Sequence, residues 1–369
     1  MRAGEVGRRR IRNTGLVRSS FATVEEIVRW HGAIQAQDYV PTKWSLAQRA
    51  PGLTDEAIDE ALASGAIVRT HVLRPTWHFV ARDDIRWLLA LTGPIVQRGS
   101  QRRLRELRLD PKVLARSERV ISSALKGGSM TREEVGAVLK DVRIDPDGQR
   151  LPYLLMHCEL EAVICSAGLH GAQHTYGLLD ERVPSERKRF DRDAALIELT
   201  RRYLTSHGPA AVQDLGWWAS LRATDIRCAL DALDDEVRSE TVDSVELWMD
   251  AGEPSRAPAV RGVHLLPPYD ELVVGYRNSR YFGDPRAKQT LAAWKDRTLP
   301  NGVVIFDGRV IGLWRRITEA RSIRLEFHTF ERLDRKRIER LRAAGRRLGR
   351  FVGRPVTTEV DTLHPRALT

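Results

Sequence analysis

Ile67-Val-Arg-Thr-His-Val-Leu-Arg-Pro-Thr-Trp-His-Phe-Val80 is rich in β-branched and aromatic residues and is broken once, near Leu73–Pro75. It reads as two strands of a hairpin. Two helical segments precede it. Thr23-Val-Glu-Glu26 is a capping box in which Thr23 caps the helix and Glu26 reaches back. Val24, Ile27, Val28 and Ile34 then fall at helical spacing, with His31 and Gln35 on one face. Thr54–Leu62 is a second Thr-capped helix, ending before Gly65. Helices followed by a β-hairpin are the pattern of a winged helix.

The same order of elements recurs. Thr131-Arg-Glu-Glu134 is another capping box, opening a helix through Leu139. A helix over Tyr153–Leu160 and strands near Ala162–Ser166 and Gln173–Leu178 follow. A third unit has helices at Ala194–Ser206, from Gly208-Pro209 through Ala219, and at Thr224–Leu233. Its strands are Val237–Val242 and Val245–Asp250. After Pro258 come short apolar runs, an Asp307-Gly308 hairpin inside Val303–Trp314, a strand at Ile323–Phe330 and a basic helix over Leu333–Leu348. The expected fold is therefore α+β. Tandem winged-helix (helix-turn-helix) units span residues 1–97, 98–182 and 183–256, and a small C-terminal β-barrel with its basic helix spans 257–369. Arg98–Arg108, Arg182–Arg192 and Gly252–Pro258 read as linkers.

Charge and composition bound the function. The chain has 369 residues, a net charge of +11 and 42% hydrophobic residues, which fits several soluble domains and a polyanionic partner. The positive charge is mostly Arg, which forks onto phosphate or stacks on a base; a GC-rich genome gives the same bias. No 18-residue apolar run or signal-peptide core is present, and three cysteines make no disulfide framework, so the cytoplasm is the expected compartment, beside the nucleoid. The arginine-rich residues 1–12 read either as an arm that wraps DNA or as a disordered terminus. Residues 225–253 are acidic, so the third unit is expected to face away from a basic channel lined by the first two.

One stretch calls for chemistry rather than packing. Gln35-Ala-Gln37-Asp38 stands where an ordinary helix end would carry Lys, Arg or Gly. On a helix, residues i and i+2 point about 200° apart, so both amides address one point only if the backbone is extended or turning. An amide pair can orient a water or a substrate without an ionised group. The alternative is a polar helix end touching the hairpin. Arg69, His71, Arg74, Trp77 and His78 on the hairpin likewise read either as a DNA-facing wing or as a wing packed on its own helices. Pro267-Pro-Tyr-Asp-Glu271 is either a structural turn or a polar cluster on a groove. His157, Cys158, Cys165, His170 and His174 are zinc-compatible types, but no paired C-x2-C exists and the cysteines sit in apolar contexts. With no P-loop, GxGxxG, HExxH or GxSxG, neither a cofactor nor a metal is expected.

Gln35-Ala-Gln37-Asp-Tyr, Trp44-Ser-Leu-Ala-Gln-Arg49, Ile67–His78, Leu265-Leu-Pro-Pro-Tyr-Asp-Glu271 with Gly275-Tyr-Arg277, and Asp307-Gly-Arg-Val-Ile-Gly-Leu-Trp314 together resemble the winged-helix DNA-binding family that includes the AlkZ-type DNA glycosylases. The resemblance spans nearly the whole chain. It implies tandem winged helices and a β-barrel around a DNA channel. The implied activity is removal of N7-alkylated purines, and in some members unhooking of interstrand crosslinks. The family's Gln–apolar–Gln signature falls on Gln35-Ala36-Gln37, where Ala is smaller than the usual middle residue. Gln35 and Gln37, with Asp38 beside them, are the expected catalytic residues. Lys43, Arg49, Arg69, His71, Arg74, Trp77, His78, Arg102 and Arg103 are the expected DNA contacts. The expected partner is double-stranded, damaged DNA and the expected state a monomer. The other reading is a non-catalytic winged-helix DNA-binding protein or transcriptional regulator, in which the glutamines touch bases or phosphates.

Overall fold

A computed structural model of the chain describes residues 1–17, 20–183, 190–257, 259–277 and 302–362. Residues 184–189 of the second basic linker and Pro258 of the third lie outside them.

The chain starts with helix α1 (Ala3–Asn13). Helix α2 (Val24–His31), strand β1 (Ile34–Gln35) and helices α3 (Tyr39–Ala47) and α4 (Asp55–Ala63) follow. Strands β2 (Ile67–Val72) and β3 (Arg74–Ala81) form the hairpin read from the sequence. β1 adds to its far side, giving a sheet of order β1-β3-β2. Next come helices α5 (Ile85–Glu106) and α6 (Pro111–Ala124), strand β4 (Ser129–Thr131), and helices α7 (Arg132–Asp141) and α8 (Arg150–Leu160). Strands β5 (Ile164–His170) and β6 (Gln173–Leu178) close a β4-β6-β5 sheet, and the short helix α9 (Leu179–Arg182) follows. Helices α10 (Arg192–His207), α11 (Val212–Ala219) and α12 (Ala223–Leu233) precede the two-stranded sheet of β7 (Val237–Val242) and β8 (Val245–Asp250).

Both capping boxes form. Thr23 Oγ1 takes the Glu26 N–H at 3.2 Å, and Thr131 Oγ1 takes that of Glu134 at 3.3 Å. These fix where α2 and α7 begin. The boundary between 97 and 98 falls inside α5, a continuous helix of 22 residues. The arginines of 98–108 are thus mostly a helix face rather than a linker.

The N-terminal segment is neither a DNA-wrapping arm nor a disordered tail. Glu5 lies in the first turn of α1 and Arg10 and Arg12 in the last, matching the helix dipole, and Val6 and Ile11 are buried. The helix docks on the acidic third unit. Arg9 bonds Glu253 at 2.6 Å and the carbonyls of Pro254 and Ser255, and the Met1 amine meets Glu240 at 2.8 Å. Much of the acid in 225–253 therefore serves internal ion pairs, among them Arg192–Asp225 and Arg201–Glu236.

The C-terminal part departs from the expected barrel. It contains β9 (Val263–Leu266), the short helix α13 (Glu271–Val274), β10 (Gly302–Phe306), β11 (Arg309–Thr318), β12 (Ile323–Thr329), helix α14 (Arg335–Phe351) and β13 (Val356–Thr362). The five strands form an open sheet of order β13-β12-β11-β10-β9, and among the described residues its edges do not meet. The reason lies in α14. It carries the chain over so that β13 joins β12 in parallel, and its Leu341, Ala344 and Leu348 pack with Leu325 and Phe327. A helix covers the sheet face that a barrel would close on itself. The Asp307-Gly308 turn forms as read, with φ of 47° and 83° at its two residues.

One buried cluster ties the chain together. It takes in Ile11, Val68 and Leu88, Leu160 and Cys165, Leu199, Trp218 and Leu230, and Leu266, Leu272 and Tyr276. The element groups share this core, and Ile34 and Ala36 of the glutamine stretch belong to a separate cluster with Ile27, Ile67 and Phe79. Among the described residues, no helix is long and apolar enough to cross a membrane.

Candidate active site

Gly32 ends α2 with φ of 78°, a conformation that suits glycine, and the chain turns out of the helix. β1 then pairs antiparallel with β3, Ile34 opposite Phe79 and Gln35 opposite His78. The Ala36 N–H continues the ladder to Trp77 O at 2.7 Å. Gln35 is thus laid on a strand and Gln37 stands in the bend that follows it, so the pair is not wound on a helix end. The backbone is extended and then turning there, the condition under which two amides i and i+2 apart can address one point. Asp38, exposed, then starts α3, whose first turn is held by Thr42 Oγ1 on Asp38 O at 2.7 Å.

Each amide is oriented by one protein donor. Arg74 donates to Gln35 Oε1 at 2.9 Å, and the Trp77 backbone N–H donates to Gln37 Oε1 at 3.4 Å. Both partners can only donate, so the oxygens face them and the NH2 ends face away. Each oxygen keeps a second lone pair. Arg74 opens β3 immediately after Leu73, which is fully buried with φ of 63° and whose N–H is taken by Thr92 Oγ1 at 3.1 Å. A left-handed leucine costs about 1–3 kcal/mol, and the packing around it holds the turn that aims Arg74.

The backbone of the stretch is clamped as well. Arg69 Nε donates to Ala36 O at 3.0 Å, with its guanidinium 4.5 Å from the Trp77 ring centroid. From the other side, Glu271 Oε1 accepts the Gln35 N–H at 2.6 Å. The second oxygen of Glu271 takes Trp218 Nε1–H at 3.0 Å and meets His207 Nε2 at 3.3 Å. His207 stacks on Tyr203 and is held at Nδ1 by Ser206 Oγ, 2.8 Å away. Gly275 makes room for this arrangement: a Cβ there would stand 2.6 Å from the His207 ring. Burial pushes the Glu271 carboxyl pKa up, but the hydrogen bond and charge of His207 and the Gln35 N–H outweigh it, holding the pKa at about 2. Neighbouring Asp270 is equally buried and receives both arms of Arg49 at 2.8 Å, with Ser45 Oγ at 2.6 Å.

The structure brings Gln35, Gln37, Arg69, Arg74 and Trp77 into one set of contacts. Other expected DNA contacts are committed elsewhere. Arg49 is 1% exposed and spent on Asp270, so it cannot also meet a phosphate. Lys43 is buried between Asp55 and Asp59, at 2.6 and 3.0 Å. His71 is bonded to the buried Glu159, which also takes Trp77 Nε1–H at 3.3 Å. His78 is buried behind β1, with Nδ1 on Thr76 O at 2.8 Å. Arg102 is exposed and Arg103 half-buried on α5; both pair with Glu106 on the same helix, and Arg103 also bonds Gln149 Oε1 at 2.5 Å. Cys158 and Cys165 are buried and their thiols are pushed up by burial, Cys165 to about 12. Pro267–Glu271 resolves into a structural role for its acids, both fully buried.

Sequence reasoning missed the third unit's share in the site. His207 and Trp218 hold Glu271, and Trp217 stands next to Arg74, its ring centroid 5.7 Å from the guanidinium carbon. A signal existed. Trp218 sits three residues after Leu215 on the apolar face of α11, which leaves the adjacent Trp217 off that face.

Comparison with protein families matches residues 28–351 to the AlkZ-like DNA glycosylase model. Comparison with curated protein sequences finds no match. Among solved structures, the chain is similar to Streptomyces sahachiroi DNA glycosylase AlkZ, with a TM-score of 0.78 and 18% identity over 98% of this chain and 100% of that one. At that identity the likeness speaks to the fold.

Proposed function

Since the chain belongs to the AlkZ-like DNA glycosylase family, and so is a DNA repair glycosylase, we propose that it hydrolyses the N-glycosidic bond of N7-alkylated purines in duplex DNA, with Gln35 and Gln37 meeting the substrate. Membership in an enzyme family removes the non-catalytic regulator as an equal alternative. The observation that supports the reading is that Gln35 and Gln37 leave the helix for a strand and the bend after it, each with its amide oxygen anchored by a neighbouring donor of the hairpin.

The chemistry suits amides. An N7-alkylpurine is cationic, so its base leaves with little need of a general acid. As the C1′–N9 bond breaks, its electron pair goes to the purine and cancels the ring's charge. The sugar becomes oxocarbenium-like, and a water oxygen bonds to C1′ and gives up a proton to solvent. The products are a neutral free base and an abasic site. The free lone pairs of Gln35 Oε1 and Gln37 Oε1 are suited to accept from that water. Asp38, exposed at the end of the stretch, adds negative charge near the developing cation. No cofactor takes part in this scheme.

The helix–hairpin groups are proposed to act as winged helices, with the basic surfaces of residues 1–182 against the duplex. Arg102 and Arg103 are proposed as phosphate contacts and the protein as a monomer.

The test is excision from a duplex carrying one N7-methylguanine, read by alkaline cleavage at the abasic site. Wild type should cleave, and the Gln35→Ala/Gln37→Ala double variant should not, while binding the duplex nearly as well. Parallel loss of binding and cleavage would remove the catalytic role of the pair.

A further inference from the structure

Trp217 is an exposed tryptophan in a place where exposure has a use. It is 52% exposed. A lone exposed apolar side chain needs no explanation by itself. Trp30, the other exposed tryptophan among the described residues, bonds Asn13 O at 2.7 Å and packs on Phe21, so its setting is structural. Trp217 differs in two respects. Its neighbour Trp218 is fully buried and bonded to Glu271, the residue that fixes the Gln35 backbone, so α11 is registered to the glutamine strand. Its ring also stands beside Arg74, whose other contact is the Gln35 amide oxygen.

Resting on the glycosylase reading above, we propose that Trp217 is a specificity-determining residue, the aromatic face that holds the cationic purine base beside Gln35. An alkylated purine and a guanidinium share one chemistry, a flat ion with delocalised positive charge. The ring face of an indole attracts such ions. At 5.7 Å the Arg74 guanidinium is near the outer limit of that attraction, so the exposed face keeps room for a second flat cation. Base–aromatic stacking adds a component that does not depend on sequence. A neutral purine gains only the stacking, and the difference is selectivity for the charged lesion before any bond breaks.

The experiment measures binding to two duplexes in which a 2′-fluorinated sugar blocks hydrolysis. One carries N7-methylguanine and the other guanine at the same position. Wild type is expected to prefer the methylated duplex. Trp217→Leu should lose about tenfold of that preference and Trp217→Phe should retain most of it, while both still bind the guanine duplex, Trp217→Leu more weakly by the lost stacking alone. That control also shows that the variants fold. An unchanged preference in Trp217→Leu overturns the assignment. So does an equal loss of affinity for both duplexes, which would make the ring a general contact. Excision of N7-methylguanine by wild type is scored in parallel. Excision together with an unchanged Trp217→Leu preference sinks Trp217 alone. Absence of both excision and preference in wild type sinks the underlying reading with it.

Discussion

The carboxylate of Glu271 accepts the backbone N–H of Gln35 at 2.6 Å, a bond that spans 236 residues of sequence. It aligns the strand that carries both amides, and its other oxygen is held by Trp218 and His207. Glu271→Gln keeps the shape but cannot accept from all three donors. One buried N–H is left unpaired, at a cost of about 1–3 kcal/mol. The expected outcome is a lower melting temperature, with single-turnover excision reduced more than duplex affinity. Equal falls in rate and affinity would argue that Glu271 supports the DNA surface instead.

Arg74 orients Gln35 through one charge-assisted bond. Lysine keeps the charge but loses the planar fork. Arg74→Lys is expected to slow excision at least tenfold, since bonds from charged donors are worth about 1.5–3 kcal/mol. Affinity for undamaged duplex should stay within about threefold. Wild-type rates in this variant would show that the amide needs no such anchor.

Buried and exposed arginines should separate cleanly by assay. Arg9 holds Glu253, Glu5 and two carbonyls, and Arg49 holds Asp270. Replacing either by alanine should lower thermal stability, by about 3–5 kcal/mol for Arg49 because Asp270 is left as a buried unpaired charge. Arg102→Ala and Arg103→Ala should leave stability alone and each reduce the salt slope of duplex binding by about 1. A stable Arg49→Ala with a shallower salt slope would reverse the assignment.

Two neutral histidines lie in the core of the first element group. His31 Nδ1 faces Ile27 O and His78 Nδ1 faces Thr76 O, so each Nδ1 carries the hydrogen. Each Nε2 is buried without a partner. Burial, aided by the charge of Arg49 for His31 and Arg74 for His78, holds both pKa values at about 3. In the unfolded chain they return to about 6.5. Between those values the unfolded state binds more protons, so stability rises with pH there and falls on acidification. Stability should be complete above about pH 6.5 and decline below it, by on the order of 1 kcal/mol per pH unit per histidine. Melting temperatures from pH 8 to 5 test this, with His78→Met flattening the slope. A flat wild-type profile would mean that these rings titrate as exposed ones do.

The readable parts of the sequence were those governed by local rules. Capping boxes placed α2 and α7, a run of β-branched and aromatic residues broken once placed β2 and β3, and Asp307-Gly308 placed a turn. The amide pair was legible as an anomaly, because Gln-Ala-Gln has no packing reason to end a helix. What stayed hidden was long-range. β1 is two residues long and exists through its partner β3 and the Glu271 bond. The open sheet could not be told from a barrel because β13 joins it through a helix rather than a turn. Arg49 and Lys43 looked like phosphate ligands because their acidic partners lie on other elements.

The span of the Gln35–Glu271 bond also sets an order in time. On the ribosome, Gln35 emerges 236 residues before Glu271. At ordinary rates of synthesis that interval is on the order of 12–50 s. A nascent chain of that length already displays arginines that attract DNA, yet lacks the group that seats its amide strand. The strand of the two glutamines is thereby seated only in molecules whose synthesis has passed Glu271.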